Sequence, residues 1–122
     1  MKAKKRYLQV HTLSGYKGPP FRRLICRFAF EVAGHAFQMA LTENWEGSLQ
    51  PYCITHVFSG KQLGPGVPIT KPRNNYTTRL ACIQYVWEQV ARTGQANFIA
   101  RILKAEAEEA LEPITPPEGI SL

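Results

Sequence analysis

Residues 24–41 read Leu24-Ile-Cys-Arg-Phe-Ala-Phe-Glu-Val-Ala-Gly-His-Ala-Phe-Gln-Met-Ala-Leu41, a pattern that predicts a β-hairpin. Glycine accepts the positive φ that the first position of a type II′ turn requires, so we predict the two-residue turn at Gly34-His35. Because side chains alternate between the two faces of a sheet, a slip of one residue would turn the apolar set towards water. The turn places Ala33 opposite Ala36 and pairs large apolar residues across the strands: Val32 with Phe37, Phe30 with Met39, and Phe28 with Leu41.

The rest of the chain predicts an α+β fold, a four-stranded antiparallel meander followed by one or two helices packed on one face. Further strands are predicted at residues 7–13 and 52–58, the second with a short extension through Leu63. Loops rich in glycine and proline follow these strands at residues 14–20 and 64–75.

Two C-terminal helices are predicted, with Gly94 between them, because glycine commonly ends a helix. The second should extend from about Gln95 to Leu111. The first should face the sheet with apolar residues that recur at helical spacing: Leu80, Ile83, Trp87 and Val90.

We divide the chain into a basic arm at residues 1–6, a single α+β domain at 7–112 and an extended, proline-rich tail at 113–122. Its length suffices for a hydrophobic core without disulfides or metal. Cys26, Cys53 and Cys82 each lie in an apolar pattern and are predicted to be reduced core residues. No apolar run could span a membrane, and the residues after the arm are too polar for a signal peptide, so we expect a cytoplasmic protein without membrane association.

Charge is distributed unevenly along the chain. The first 79 residues hold 12 Lys/Arg against three Glu, whereas the remaining residues hold three Lys/Arg against six Glu. The excess of cations in the first part favours an anionic partner, most commonly nucleic acid. A solvated basic surface that aids solubility would explain the same charge.

The residues supply no motif for catalysis or for a cofactor. Asp is absent, which argues against Asp-based triads and against carboxylate clusters that hold Mg²⁺ or Ca²⁺. Cys53 and His56 would point to opposite faces of one strand, and no CxxC or HxxxH spacing is present. We therefore predict a non-enzymatic protein without catalytic residues, cofactor or metal.

The function that the residues favour is that of a small basic accessory protein that binds nucleic acid, preferably single-stranded DNA or RNA, through a basic edge of the sheet. Cations would contact phosphates, and aromatic side chains would stack on bases. The residues predicted to converge on this edge are Lys4, Lys5, Arg6, Lys17, Arg22, Arg23, Lys61, Lys71, Arg73, Tyr16 and Tyr76.

Two alternatives stay open. The segments that begin at His11 and His56 each contain Ser-Gly and end in Gly-Pro, so they are either two similar turns or two matched phosphate-binding loops. Helices at residues 76–111 would instead bind a protein partner or form a homodimer, as an accessory or inhibitor factor of a phage or plasmid would.

Overall fold

The computed structural model describes residues 5–11 and 19–122. Within these residues the strands form one antiparallel sheet in the order of the sequence, and helices follow, which confirms the α+β class. The elements are β1 (Tyr7–Gln9), β2 (Phe21–Val32), β3 (His35–Glu43), β4 (Tyr52–His56), β5 (Gln62–Leu63), α1 (Tyr76–Thr93) and α2 (Gln95–Glu108). The described sheet has five strands rather than four because the predicted extension through Leu63 pairs with β4, Leu63 lying opposite Ile54.

The hairpin turn lies at Ala33-Gly34, one residue before the predicted Gly34-His35. Ala33 has φ 48° and Gly34 has φ 81°, so both turn residues take the left-handed conformation of a type I′ turn. The predicted register is therefore wrong: Val32 pairs with His35, Glu31 with Ala36, Phe30 with Phe37, and Phe28 with Met39.

The faces of the hairpin were nevertheless predicted correctly. Moving the turn by one residue changes each cross-strand partner by two positions, and a shift of two keeps every side chain on its face. The apolar pattern could not distinguish the two registers for this reason. The type I′ turn, whose twist matches that of the strands, selects one of them. The predicted apolar residues are all buried: Phe28, Phe30, Val32, Phe37, Met39 and Leu41.

This apolar face packs against the two helices. Phe30 is buried, as predicted, and its ring meets the rings of Trp87 and Phe98 edge-on, with centroids 5.0 Å and 6.0 Å apart. Edge-on contacts of this kind add to the stabilisation from buried area. From α1 the buried residues are Thr78, Cys82, Val86 and Val90, and from α2 they are Phe98, Ile102 and Ala105.

The prediction for the buried face of α1 is wrong in part. Val90 is buried and Ile83 is half-buried against the core, as predicted. Leu80 and Trp87 are each 46% exposed, although the Trp87 ring contacts Phe30. The stripe that packs on the sheet begins at Thr78, a polar residue, so its apolar pattern in the sequence is weaker than that of the neighbouring stripe. Gly94 does separate the helices: its φ is 89°, and its N–H donates to Val90 O at 2.8 Å.

The sheet curls, and this curling buries part of the face that points away from the helices. The His11 N–H donates to Gly60 O at 2.9 Å, which joins the segment after β1 to the loop after β4. Gly60 has φ 69°, and a Cβ there would lie 2.5 Å from His11 N, so this approach requires glycine. Strand alternation places small and polar residues inside the curl, all of them buried: Ala40, Thr42, Cys53 and Thr55.

The C-terminal tail lies along the outer edge of β1. The Tyr7 N–H donates to Ser121 O at 2.8 Å, and the Gln9 side chain donates to Glu112 O at 2.7 Å. An uncovered edge strand would offer these backbone groups to other chains, so the tail protects the edge. In the described part of the chain, no helix combines the length and the hydropathy that crossing a bilayer requires.

Candidate functional site

Cations from three segments meet in one open cleft, which we call the basic cleft. Its volume is about 600 Å³. It lies between the end of the basic arm, the N-terminal half of β2 and the start of α1. The described residues that line it are Lys5, Arg6, Arg23, Leu24, Ile25, Cys26, Arg27, Asn74 and Arg79.

The cleft lies where β2 loses one strand partner. β1 pairs only with the first three residues of β2, and the last bond on that side goes from the Leu24 N–H to Arg6 O at 2.8 Å. A β-bulge at Ile25 interrupts the pairing with β3 at the same point. Bulges redirect side chains and are common next to binding sites. The bulge and the end of β1 thus leave an open edge of β2 that carries Arg27.

Arg79 connects α1 to this open edge. Its Nε donates to Arg27 O at 3.0 Å, and its guanidinium also donates to Asn74 Oδ1. Asn75 fixes the start of the helix, because its side chain accepts a hydrogen bond from Thr78 N at 2.9 Å. The guanidinium of Arg79 is therefore held at the cleft by two elements.

The charge of the cleft is only weakly balanced. Among the described residues, the salt bridge to a cleft cation is Arg23 with Glu43, at 3.5 Å between two side chains that are each more than 40% exposed. An exposed pair of this length contributes little energy. The remaining guanidinium and ammonium groups give the cleft a positive potential that attracts anions.

Three of the predicted site residues line the cleft: Lys5, Arg6 and Arg23. Arg27 and Arg79 join them, although the sequence analysis did not include these two. Lys4, Tyr16 and Lys17 lie outside the described residues, as does the first of the two Ser-Gly loops.

Arg22 and Lys61 do not converge on the cleft, so that part of the predicted convergence is corrected. Arg22 lies on the face of β2 opposite Arg23, where it donates to Asn44 O at 2.8 Å and its guanidinium stacks 3.4 Å from the centre of the Trp45 ring. Consecutive strand residues point to opposite faces, which is why the two arginines separate. Lys61 forms an ion pair with Glu109 beside a second cavity.

The remaining predicted residues lie near the start of α1 but do not line the cleft. The Arg73 N–H donates to Thr78 Oγ1 at 3.1 Å, next to Asn74 of the cleft. Tyr76, the first residue of α1, is 72% exposed. Lys71 lies in the preceding loop.

The second cavity, of about 420 Å³, is lined in part by His56 and Ser59, which form a hydrogen-bonded group with Glu106. His56 Nδ1 lies 2.7 Å from Ser59 Oγ, and Nε2 lies 3.1 Å from Glu106 Oε1. The Glu106 carboxylate can only accept, so Nε2 of His56 carries a proton. In the neutral imidazole Nδ1 then accepts from the Ser59 hydroxyl, whose oxygen also accepts from the Lys61 N–H. Burial lowers the pKa of His56, and the contact with Glu106 opposes this shift.

Ser59, His56 and Glu106 are hydrogen-bonded in the order of a Ser-His-acid triad. A substrate, however, has no access to the serine. A nucleophile must reach the reacting carbonyl, and Ser59 is completely buried. The cluster therefore joins the loop after β4 to α2 as a structural contact. Sequence reasoning missed it because His56 and Glu106 are 50 residues apart.

Within residues 5–11 and 19–122, no group of three or more His, Cys or Glu side chains is arranged to hold a metal ion. Comparisons of the chain with protein-family models, with curated proteins and with solved structures find no match. A functional interpretation therefore depends on the geometry and charge of the sites described above.

Proposed function

We propose that the protein binds nucleic acid, without catalysing a reaction, through the basic cleft. The observation that carries this proposal is the meeting of Lys5, Arg6, Arg23, Arg27 and Arg79 on one concave surface with little balancing negative charge. Phosphate contacts supply most of the affinity in nucleic-acid binding, and arginine forms paired hydrogen bonds with phosphate oxygens.

A single strand fits the cleft better than a duplex does. A volume of about 600 Å³ is that of a small-molecule pocket and holds a short piece of one strand. A duplex is a wide rod, with a major groove of about 12 Å, and would contact only the rim. Tyr76, exposed two residues after Asn74, is available to stack on a base, a contact that tolerates any sequence.

We also propose that the protein acts in the cytoplasm, for a reason that lies in its cysteines. All three cysteines are free thiols, as expected for a reducing compartment.

The test replaces two cleft cations and compares them with two cations elsewhere. Arg23→Ala with Arg27→Ala should weaken binding to single-stranded DNA or RNA at least tenfold in low salt. Each phosphate contact to a single strand contributes about 0.7 to the salt slope, so that slope should fall by about 1.4. The control is Arg92→Ala with Arg101→Ala, which makes the same change in charge at exposed positions on the helices.

Equal weakening by both pairs would show that net charge, and not the cleft, causes binding. No binding of single-stranded DNA, RNA or duplex DNA by the unchanged protein in low salt would refute the proposal.

A second candidate is protein binding through the helices. Leu80 and Trp87 are each 46% exposed, and the half-buried Ile83 lies between them along α1. Exposed apolar stripes of this kind mark interaction surfaces. If this stripe forms a homodimer, the mass measured by sedimentation should rise with concentration, and Leu80→Glu should abolish the rise while Leu49→Glu, at a fully exposed loop position, should not. A mass of one chain at all concentrations would exclude the homodimer.

A further inference from the structure

The edge of β2 that faces away from β3 is uncovered over the hairpin half of the strand. β1 pairs with β2 only as far as Leu24, and among the described residues no strand or tail segment pairs with this edge beyond that point. The outer edge of β1, in contrast, is covered by the C-terminal tail. An uncovered strand edge offers its backbone groups to another chain. This edge of β2 can therefore accept a further strand.

The hairpin turn determines which residues direct their backbone groups to the open edge. Val32 and His35 flank the two-residue turn, so they form a hydrogen-bonded pair. Hydrogen-bonded and non-hydrogen-bonded pairs alternate along an antiparallel ladder. The backbone groups that point away from β3 are consequently those of Arg27, Ala29 and Glu31.

Two hydrogen bonds agree with this assignment. Arg27 O points away from β3, since it accepts from Arg79 Nε at 3.0 Å. Gln38, which pairs with Ala29, points away from β2, since its carbonyl oxygen accepts from the Val57 N–H at 3.0 Å.

The side chains along the open edge are exposed and carry opposite charges at its two ends. Arg27, Ala29 and Glu31 lie on the part of the sheet face that the curl leaves exposed. Among the described residues, neither the Arg27 nor the Glu31 side chain forms an ion pair. A cation and an anion thus stand two residues on either side of a small alanine.

We infer that this edge pairs with the same edge of a second copy of the chain, antiparallel and with the twofold axis at Ala29. Arg27 of each copy then lies opposite Glu31 of the other, and Ala29 lies opposite its own counterpart. Opposite charges directly across a strand pair stabilise it, and like charges destabilise it. An axis at Arg27 or at Glu31 would place like charges opposite each other, so the charges select the axis at Ala29. This self-complementarity is what a twofold interface requires.

The same arrangement satisfies the free backbone groups. The Ala29 N–H of each copy donates to Ala29 O of the other, and the Arg27 N–H donates to Glu31 O, which gives four hydrogen bonds by symmetry. Arg27 O keeps its bond from Arg79 and has a second lone pair for the Glu31 N–H of the other copy. The inference depends neither on nucleic-acid binding nor on the apolar stripe of α1.

The test measures the mass of the full chain by sedimentation over a series of concentrations, without nucleic acid. The mass of the unchanged protein should rise from one chain towards two. Arg27→Glu and Glu31→Lys should each weaken self-association at least tenfold, because each places like charges opposite each other at two symmetric positions. The double variant Arg27→Glu with Glu31→Lys exchanges the two signs, so it should recover the self-association.

Two further variants separate the edge from net charge and from the fold. Arg101→Glu makes the same change in charge as Arg27→Glu at an exposed position on α2 and should leave self-association unchanged. Ala29→Pro removes the N–H at the axis, which has no partner within one chain, and should abolish self-association. Ala36→Pro is its control on β3, where the residue paired with Glu31 also points away from β2, and should retain it.

The inference is overturned if the mass stays that of one chain up to millimolar concentration. It is also overturned if Arg101→Glu weakens self-association as much as Arg27→Glu does, or if the double variant recovers nothing. Self-association that Leu80→Glu abolishes and Glu31→Lys leaves intact would assign the dimer to the stripe of α1 instead. Each of these results leaves the binding of single strands by the cleft to be judged by its own variants.

One consequence does rest on the proposed function. Arg27 lines the basic cleft and also faces Glu31 of the second copy, so a phosphate and that carboxylate compete for it. A short single-stranded oligonucleotide should therefore lower the fraction of dimer. An unchanged fraction of dimer with the oligonucleotide bound would contradict this competition, whereas the charge-exchange variants test the dimer itself.

Discussion

The two halves of β2 differ in strand pairing and in the burial of their side chains. In residues 28–32, the hairpin half, alternate side chains are buried under α1 and α2, and the partner strand β3 is paired throughout. In residues 21–27, the cleft half, the partner β1 is short, a bulge interrupts the pairing with β3, and basic side chains line an open edge. The difference indicates that the hairpin half supplies much of the core, whereas the cleft half forms the surface to which we assign the proposed binding. Substitutions should therefore separate the two properties.

The largest expected effect is that of Phe30→Ala in the hairpin half. Phe30 is buried and meets the rings of Trp87 and Phe98, so its truncation should lower the free energy of unfolding by about 3–5 kcal/mol. Urea denaturation measures this loss. Leu49→Ala, at a fully exposed residue, is the control and should change stability by less than about 0.5 kcal/mol. A loss below about 1 kcal/mol for Phe30→Ala would show that the helices do not depend on the hairpin half.

The hairpin half was also the more predictable one, because its signal is a period of two. Alternation alone assigned Phe30 and Met39 to the buried face, and any register of the same parity gives that result. The register itself depends on which turn forms. The turns at Ala33-Gly34 and at Gly34-His35 differ by only a small free energy. Similarly, Leu80 and Cys82 lie on adjacent stripes of α1, and spacing alone could not say which stripe faces the sheet.

For the cleft half, the sequence predicted the basic composition but not the positions of the basic side chains. Charge counting identified Lys5, Arg6 and Arg23, since the N-terminal part of the chain is strongly basic. The positions of Arg27 and Arg79 depend on where β1 ends, on the bulge at Ile25 and on how α1 crosses β2. These are long-range features of packing that no local pattern in the sequence specifies. One local signal was available for Arg79, which follows the helix-capping Asn75 by four residues.

A second prediction concerns the pH dependence of stability that the buried His56, beside α2, should cause. Burial lowers the pKa of His56 from its ordinary value of 6.5, so the unfolded chain binds the proton more strongly than the folded chain does. Stability should be unaffected well above pH 6.5 and should fall as the pH drops through that value towards the lower folded-state pKa. Urea denaturation at a series of pH values measures this loss. In His56→Gln the loss in this window should disappear.

The matched control is His35→Gln, at an exposed position beside the hairpin turn. It should retain the acid dependence of the unchanged protein. If His35→Gln removes the dependence and His56→Gln does not, the burial of His56 is not the cause of the acid dependence.

A smaller effect is expected at the start of α1, which forms one wall of the cleft. Asn75→Ala removes the side chain that accepts from Thr78 N, and the loss of such a cap costs about 1 kcal/mol. Fraying of this turn should also move Arg79 and weaken single-strand binding more than the stability loss alone explains. Thr77→Ala, at an exposed residue in the same turn, is the control for both measurements. If Asn75→Ala binds single strands as the unchanged protein does, the start of α1 does not contribute to binding in the cleft.

The smallest expected effect has a sign that tests the hairpin turn. Ala33 has φ 48°, a left-handed conformation that costs an L-residue about 1–2 kcal/mol and costs glycine almost nothing. Ala33→Gly should therefore stabilise the protein, by about 0.5 kcal/mol after the greater entropy of glycine in the unfolded chain is subtracted. With a turn at Gly34-His35, residue 33 would be a strand residue, and glycine there would destabilise by about 0.5–1 kcal/mol. Residue 36 lies in the strand in both registers. Ala36→Gly is therefore the control, and it should lower the free energy of unfolding by about 0.5–1 kcal/mol.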